Sequence, residues 1–176
     1  MTKPRLILDQ DDVLAATHGK LAQIILSDFG TNLTHEALHQ GPFRQILSPE
    51  DQQRLYQLIH QPGFFADIPL MPNAREAVFE LNKKYEIFVA TAAMEFPNSF
   101  RDKYDWLHTH FDFIPWNNLV FCGDKSVLIG DYLIDDMPRN LKSFRGKGLL
   151  FNAPHNLEET EFERVMNWDD ILKRLL

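Results

Sequence analysis

Short apolar segments recur along the chain between longer stretches in which apolar residues are spaced as on one face of a helix. The clearest short segments are residues 5–8, 86–90, 119–121 and 148–151, and a further one lies within 127–134. Continuous apolar runs of this length are typical of strands that are buried on both faces of a parallel sheet. Because these strands alternate with helices, the pattern predicts an α/β fold with a parallel sheet.

Helices are predicted between the strands from apolar spacing and from start and stop signals. Ser48, followed by Pro49 and by acids in the first turn, is a typical helix N-terminus, and Pro62-Gly63 ends the helix that begins there. The predicted helices cover residues 15–29, a short segment that opens at 32–34, and residues 49–60, 74–84, 97–110 and 159–176.

The segment between the first and second predicted strands is too long for a single crossover helix. Residues 15–72 carry helical patterns and no convincing strand. We interpret this segment as a small helical cap that is inserted into the sheet domain. The predicted division is an α/β core of residues 1–14 and 73–176 and a cap of residues 15–72.

The composition is that of a globular protein with an excess of acids. The 176 residues are 44% hydrophobic and carry a net charge of -7, which offers no electrostatic footprint for a nucleic-acid polymer or an anionic membrane. The single cysteine, Cys122, excludes an intrachain disulfide, and the sequence shows neither a signal peptide nor an apolar run of about 18 residues. These features predict a soluble, cytoplasmic protein and give no signal for an oligomeric state.

Asp9 directly follows the first predicted strand and opens an acidic cluster with Asp11 and Asp12. Crowded carboxylates repel one another unless a cation or hydrogen bonds offset their charge, and a hard divalent ion is a natural partner. Two acids at positions i and i+2 can also divide the work of phosphate transfer, one as nucleophile and the other as general acid and base. The alternative interpretation is an acidic turn that caps a strand.

Other polar positions fall at or near predicted strand ends. Thr91 and the following Ala92 end the second strand, where a hydroxyl and backbone N–H groups can hold phosphate oxygens. Lys125 is a candidate for keeping a carboxylate nucleophile ionised and for holding the transferring phosphoryl group. The alternatives are a structural Thr and a surface pair between Lys125 and the neighbouring Asp124.

The last acidic group allows two strand registers. Asp131 ends a strand over 127–130 in one register, and Asp135-Asp136 ends a strand over 132–134 in the other. Four extended residues span about 13 Å, so Asp131 and Asp135 cannot both bind one ion if the segment between them is extended. We favour the second register because the acid pair then follows an apolar stretch. Asp136 also suits the N-terminus of the next helix.

The order of these groups resembles the haloacid dehalogenase superfamily of phosphatases. The matching features are DxDx[TV] at residues 9–13, the hydroxyl at Thr91, the lysine at Lys125 and the acids at Asp135-Asp136. The resemblance implies a Rossmann-like core with Asp9 as nucleophile and Asp11 as general acid and base. It also implies a Mg²⁺ ion held by Asp9, by the backbone carbonyl of Asp11 and by Asp135, with Asp136 in support.

A narrower resemblance is to the 5′(3′)-deoxyribonucleotidases and their bacterial relatives. It is carried by Val13-Leu14-Ala15, Pro62-Gly63-Phe64-Phe65 with Pro69 and Pro72, Lys103-Tyr104-x-Trp106, Asp124-Lys125-Ser126 and Leu133-Ile134-Asp135-Asp136. The family implies nucleoside monophosphate substrates and a base pocket that contains Phe64 and Phe65. The alternative for this aromatic pair is a place in the core between cap and sheet. Asp12 and Ala16 depart from the family pattern, and they bear on the substrate more than on hydrolysis.

Three other functions compete with this interpretation. A receiver domain also uses an acid pair, a Thr and a Lys, but it needs an Asp at the end of a middle strand, and the nearest candidate, Asp51, opens a helix. A sugar-phosphate phosphatase of the same superfamily would need a more polar pocket than Phe64 and Phe65 provide. A protein that binds without catalysis is disfavoured because every expected catalytic position is filled.

Overall fold

The computed structural model describes residues 2–176 as a parallel sheet flanked by helices. The strands are β1 (Arg5–Leu8), β2 (Glu86–Thr91), β3 (Leu119–Phe121), β4 (Tyr132–Asp135), β5 (Lys147–Phe151) and β6 (Arg164–Val165). The helices are α1 (Thr17–Asp28), α2 (His35–Leu38), α3 (Phe43–Ile46), α4 (Pro49–Ile59), α5 (Ala74–Lys84), α6 (Phe100–His110), α7 (Pro138–Ser143) and α8 (Trp168–Leu175). Within these residues, no helix has both the length and the apolar character needed to cross a bilayer.

The six strands are all parallel and follow the order β3-β2-β1-β4-β5-β6. This order places β1 at the centre of the sheet. Leu6 and Leu8 of β1 pack into the larger hydrophobic core, whereas Ile7 packs into a smaller core formed by a different set of side chains. All three side chains are almost inaccessible to solvent, as expected for a central strand that is covered on both faces. The predicted α/β class with a Rossmann-like parallel sheet is confirmed.

The strand order reverses between β1 and β4, and ligands of open parallel sheets bind beyond the carboxyl ends of the strands at such a point. The N–H of Asp9 donates a hydrogen bond to the carbonyl of Ile134 at 2.9 Å, which holds the two strand ends together. The predicted register that puts Asp135 at the carboxyl end of β4 is confirmed. Asp131 precedes β4 and accepts a hydrogen bond from the Arg5 N–H at 2.6 Å, so it lies at the opposite edge.

Residues 15–72 contain α1 to α4. The chain leaves the sheet domain at the start of this segment and returns to it at the end, and these two points lie side by side. Ala15 and Leu70 form an antiparallel bridge. The N–H of Met71 donates to the carbonyl of Leu14 at 2.7 Å, beside that bridge. An inserted segment must leave and return side by side in this way, so these contacts support the cap of residues 15–72, which stays a prediction. The predicted Ser48 cap of α4 is confirmed, since its side chain accepts a hydrogen bond from the Asp51 N–H.

The prediction of one helix over residues 159–176 is wrong. Arg164–Val165 forms β6 beside β5, and α8 begins only at Trp168, after Asn167 caps it by accepting a hydrogen bond from the Asp170 N–H. The sequence did not indicate this strand because it consists of only two residues, which follow several acids and form no apolar run. Its formation depends on partners that are distant along the sequence, such as the Asn152 N–H that donates to the Val165 carbonyl at 2.9 Å.

Helix α8 is anchored to the loop that follows Asp9. The side chain of Trp168 is 1% exposed, and its indole Nε1–H donates a hydrogen bond to the Val13 carbonyl at 2.9 Å. Because Val13 lies two residues after Asp11, the C-terminal helix supports the backbone that carries the first acid pair.

We expect Trp168→Phe to lower the free energy of unfolding by about 1–3 kcal/mol, because the buried Val13 carbonyl loses its donor. Trp168→Ala should cost about 3–5 kcal/mol, since it also leaves a cavity. Urea unfolding followed by circular dichroism measures both values. Trp116 is 76% exposed and supplies the control, with an expected change within about 0.5 kcal/mol for Trp116→Ala. Equal losses at the two tryptophans would contradict the anchoring role.

Candidate active site

A tight turn after β1 positions the first acid pair. The N–H groups of Leu14 and Ala15 both donate to the carbonyl of Gln10 at 2.9 Å. Asp12 adopts a φ of 55°, a left-handed conformation that is uncommon for a residue with a side chain and is found at strained functional turns. This turn keeps Asp9 and Asp11 at the carboxyl edge of the sheet.

Three carboxylates are buried together at this edge. Asp9, Asp135 and Asp136 are 6%, 0% and 4% exposed, and one oxygen from each lies within 4.8 Å of the others. The ammonium of Lys125, which is also buried, lies 2.6 Å from Oδ1 of Asp9 and 2.6 Å from Oδ2 of Asp135. The structure therefore brings these four sequence-predicted residues into one site.

Two of the three carboxylates, those of Asp9 and Asp135, share the ammonium of Lys125, whereas Asp136 lies 2.8 Å from His155. Burial raises the pKa of Asp9 well above its usual range; the Lys125 ammonium opposes this, and the neighbouring carboxylates add to it. Burial alone would lower the pKa of Lys125, but Asp9 and Asp135 outweigh that effect and raise it, so the ammonium stays charged. A divalent cation fits this set of donors, because it would offset the excess negative charge with the oxygen ligands that Mg²⁺ prefers.

Asp135 and Asp136 differ in how their oxygens are used. Besides Lys125, Asp135 accepts hydrogen bonds from the Met137 N–H at 2.9 Å and from Nδ2 of Asn140 at 3.0 and 3.1 Å. Oδ1 of Asp136 is buried and has no hydrogen-bond partner among the described residues. A buried carboxylate oxygen without a partner is costly. Asp136 therefore offers the more available ligand atom for a cation.

A lysine that the sequence analysis did not single out for a catalytic role completes the other side of the site. Lys103 of α6 is 1% exposed, and its Nζ pairs with Oδ2 of Asp11 and donates to Oγ1 of Thr91 at 2.9 Å. Oδ1 of Asp11 also accepts a hydrogen bond from Oγ1 of Thr17 at 2.7 Å. These contacts fix the position of the second acid. The only signal for Lys103 was its place in the stretch Lys-Tyr-x-Trp, because a residue within a helix shows no strand-end pattern.

The predicted phosphate-binding residues lie around Asp9. Thr91 is 1% exposed at the end of β2, and Ala92 follows it and leads into a one-turn 3₁₀ helix, Ala93–Glu95. Lys125 opens a second one-turn 3₁₀ helix before β4. Thr91 ends a strand that pairs with β1, and the ammonium of Lys125 lies 2.6 Å from Oδ1 of Asp9. Phosphate binding by Thr91, Ala92 and Lys125 stays a prediction.

Phe64 and Phe65 are buried in the junction between cap and sheet, at 6% and 4% exposure, with their rings edge to face at 5.0 Å. Nζ of Lys103 lies 4.6 Å from the ring centroid of Phe65, whereas Nζ of Lys20 lies 4.6 Å from that of Phe64. Phe65 is thus the ring beside the lysine that holds Asp11. In this conformation both rings belong to the core, and their role in a base pocket stays a prediction.

The fold is shared with solved hydrolases of the haloacid dehalogenase type. A haloacid dehalogenase-like hydrolase from Streptococcus pneumoniae superimposes with a TM-score of 0.63 at 11% identity, over 99% of each chain. The HAD-type hydrolase YfnB from Bacillus subtilis, solved bound to magnesium, superimposes with a TM-score of 0.61 at 12% identity, again over 99% of each chain. At such low identities the likeness concerns the fold.

Sequence relatives define the family more closely. Residues 3–176 match the family described as 5′ nucleotidase, deoxy (pyrimidine), cytosolic type C protein, and the chain belongs to this family. It is 41% identical over 171 residues, 97% of this chain and 95% of the relative, to a Staphylococcus epidermidis protein whose name assigns it provisionally to the 5′(3′)-deoxyribonucleotidases. It is also 44% identical over 112 residues to the 5′(3′)-deoxyribonucleotidase of Bacillus subtilis, 64% of this chain and 65% of that protein. Both predicted resemblances are confirmed, and the family is one of phosphoric monoester hydrolases.

We expect Lys103→Met to lower kcat for a phosphate monoester by about 10²-fold or more, because Asp11 and Thr91 lose the group that orients them. Steady-state phosphate release by the purified protein measures the change. Lys83→Met is the control, since Lys83 is an exposed residue of α5 that pairs with Glu80, and this variant should retain activity. A folded Lys103→Met protein with the kcat of the wild type would contradict the assignment.

Proposed function

We propose that this chain is a Mg²⁺-dependent 5′(3′)-deoxyribonucleotidase that forms an aspartyl-phosphate on Asp9. The observation that carries the proposal is the Asp9 carboxylate, which is buried at the end of β1 and held at 2.6 Å by the ammonium of Lys125. The names of the relatives supply the substrate class. The proposal includes a cytoplasmic location, in line with the cytosolic type in the family description.

In the proposed first step, an Asp9 oxygen attacks phosphorus and forms a new O–P bond, while the ester O–P bond breaks. Asp11 gives a proton to the leaving alkoxide, and the released alcohol is the nucleoside. In the second step Asp11 takes a proton from water, which attacks the phosphorus of the acyl phosphate and regenerates the Asp9 carboxylate. The Lys103 and Thr17 contacts hold the Asp11 carboxylate in place and stabilise its ionised form, which suits the base of the second step.

The phosphoryl oxygens are expected to bind Lys125, the Thr91 hydroxyl and the backbone at Ala92. Positive and N–H groups that are already in place stabilise the charge that builds up during phosphoryl transfer. The burial of Thr91 and Lys125 supports this role, since water screens them little.

Bound Mg²⁺ supplies the charge that lets a carboxylate approach a phosphate dianion and orients its oxygens. The sequence-based prediction places the ion on Asp9, on the Asp11 carbonyl and on Asp135. The contacts of this structure favour Asp136 as the second carboxylate ligand, because its Oδ1 lacks a partner whereas Asp135 is occupied by Lys125, Met137 and Asn140. We therefore propose that Asp136 binds the ion directly and that Asp135 fixes Lys125.

We expect Asp9→Asn to abolish turnover while the fold is retained, because an amide is a poor nucleophile toward phosphorus. Phosphate release from a deoxynucleoside monophosphate in the presence of Mg²⁺ measures the effect. Asp131→Asn is the matched control, since Asp131 lies at the opposite edge of the sheet and should leave turnover in place. Substantial activity of a folded Asp9→Asn protein would exclude Asp9 as the nucleophile.

Selectivity for nucleotides has to come from the cap, since the core residues are assigned to phosphate and metal. Phe65 is the better placed of the two rings because it lies beside Lys103, and Lys103 contacts Asp11 directly. A base that stacks on an aromatic ring gains about 1–3 kcal/mol. Opening of the cap would be needed to admit a base beside Phe65, which is 4% exposed.

We predict that Phe65→Ala lowers kcat/KM for deoxynucleoside monophosphates by about 5- to 150-fold, the equivalent of one lost stacking contact. The kcat/KM for a small aryl phosphate should fall much less. Because both substrates are assayed with the same variant, a general loss of folded protein does not affect this comparison. Phe64→Ala, whose ring faces Lys20, should show the smaller selectivity change. A screen in which sugar phosphates outperform every nucleotide would reject the nucleotide substrate and leave the phosphatase activity standing.

A further inference from the structure

A second group of potential metal ligands lies next to the carboxylate cluster, and the proposed hydrolysis does not use it. It consists of Asp12 from the turn after β1, His18 from the first turn of α1, and His155 from the one-turn 3₁₀ helix Pro154–Asn156 that follows β5. One ligand atom from each residue lies within 4.8 Å of the other two. The three residues come from segments far apart in sequence, so the fold itself assembles this group.

The Asp12 side chain is held in place by its surroundings. Its backbone is in the left-handed conformation, and its Oδ1 accepts a hydrogen bond from the His18 N–H at 2.7 Å. A carboxylate oxygen retains a second lone pair, and Oδ2 remains as a further ligand atom. The proposed hydrolysis does not use the Asp12 carboxylate.

The His18 ring is oriented by two contacts. Its Nε2 lies 2.7 Å from the carbonyl of Leu38, which makes Nε2 the N–H donor and leaves Nδ1 with a free lone pair. The ring also stacks on Phe43 with a centroid distance of 4.2 Å. A backbone carbonyl that fixes the tautomer in this way is the usual support of a histidine that binds a metal.

His155 is oriented by the neighbouring carboxylate of Asp136. Its Nε2 pairs with Oδ2 of Asp136 at 2.8 Å. A carboxylate that pairs with one ring nitrogen is the usual partner of a histidine whose other ring nitrogen binds a metal.

The same three side chains line one cavity between cap and core. Its volume is about 360 Å³, and its wall is completed by residues that include Phe43, Arg44 and Met137. This space can accommodate an ion together with water molecules in its remaining coordination positions.

We propose that Asp12, His18 and His155 bind one divalent transition-metal ion, of which Zn²⁺ is the probe of choice, at a site separate from the Mg²⁺ site. Two imidazole nitrogens and one carboxylate oxygen are ligands that Zn²⁺ prefers over Mg²⁺. Donors around a tetrahedral Zn²⁺ ion lie about 3.4 Å apart, so small side-chain rotations would bring the present group into coordination. Because His18 belongs to the cap and Asp12 and His155 to the core, a bound ion would clamp α1 against the sheet domain.

The test is Zn²⁺ uptake by the full chain in a large excess of Mg²⁺, which keeps the carboxylate cluster occupied. Equilibrium dialysis with metal analysis should give one Zn²⁺ per wild-type chain. His18→Gln and His155→Gln should each weaken binding at least 10-fold, with circular dichroism confirming that each variant is folded. Asp9→Asn, which alters a proposed Mg²⁺ ligand, should retain the Zn²⁺ ion, and so should His108→Gln, which alters an exposed histidine of α6. These readouts do not involve catalysis, so they are independent of the proposed hydrolysis.

A second probe covers the case in which one histidine variant fails to fold. Co²⁺ bound to wild-type protein should give visible absorption bands, and added Zn²⁺ should remove them by displacement. The proposal is overturned if wild-type protein takes up no Zn²⁺ in the presence of Mg²⁺. It is equally overturned if a folded histidine variant binds Zn²⁺ as tightly as the wild type, or if Asp9→Asn abolishes binding while the histidine variants retain it.

Discussion

The ammonium of Lys125 lies between two buried carboxylates, 2.6 Å from Asp9 and 2.6 Å from Asp135, and the rest of the site depends on this contact. The two acids end the neighbouring strands β1 and β4, where the strand order of the sheet reverses. Without the lysine, Asp9 and Asp135 would be buried without their shared cation, beside the carboxylate of Asp136. Removal of one partner from such a buried pair typically costs about 3–5 kcal/mol. The excess of negative charge in the cluster lowers the stability of the fold. The same excess favours the binding of a divalent ion.

A second lysine serves the second acid. Lys103 approaches from α6, binds Asp11 and Thr91, and rests over the ring of Phe65. This one side chain therefore links the proposed proton donor, a predicted phosphate-binding hydroxyl and the aromatic pair of the cap. A displacement of the cap would move Phe65 relative to Lys103, and Lys103 contacts Asp11. Substrate binding in the cap could affect proton transfer through these contacts.

Much of this arrangement could be predicted from the sequence, because strand ends carry a local signal. Asp9, Thr91 and Asp135 each follow an apolar run, and their convergence follows from the parallel sheet alone. Lys103 carried no such signal, since it lies inside a helix and its partners Asp11 and Thr91 are distant in sequence. The short strand β6 was missed because it consists of two residues whose stability comes from pairing with β5. The grouping of Asp12, His18 and His155 also depends on the folded chain, as scattered histidines show no spacing that predicts a metal site.

We propose that a divalent cation held directly by Asp9 and Asp136 completes the buried acid cluster. Isothermal titration of Mg²⁺ into wild-type protein, Asp136→Asn and Asp131→Asn tests this proposal. We expect one Mg²⁺ per chain for the wild type and for Asp131→Asn, and a loss of at least 10-fold in affinity for Asp136→Asn. Equal affinity in Asp136→Asn and the wild type, or no Mg²⁺ binding by the wild type, would contradict it.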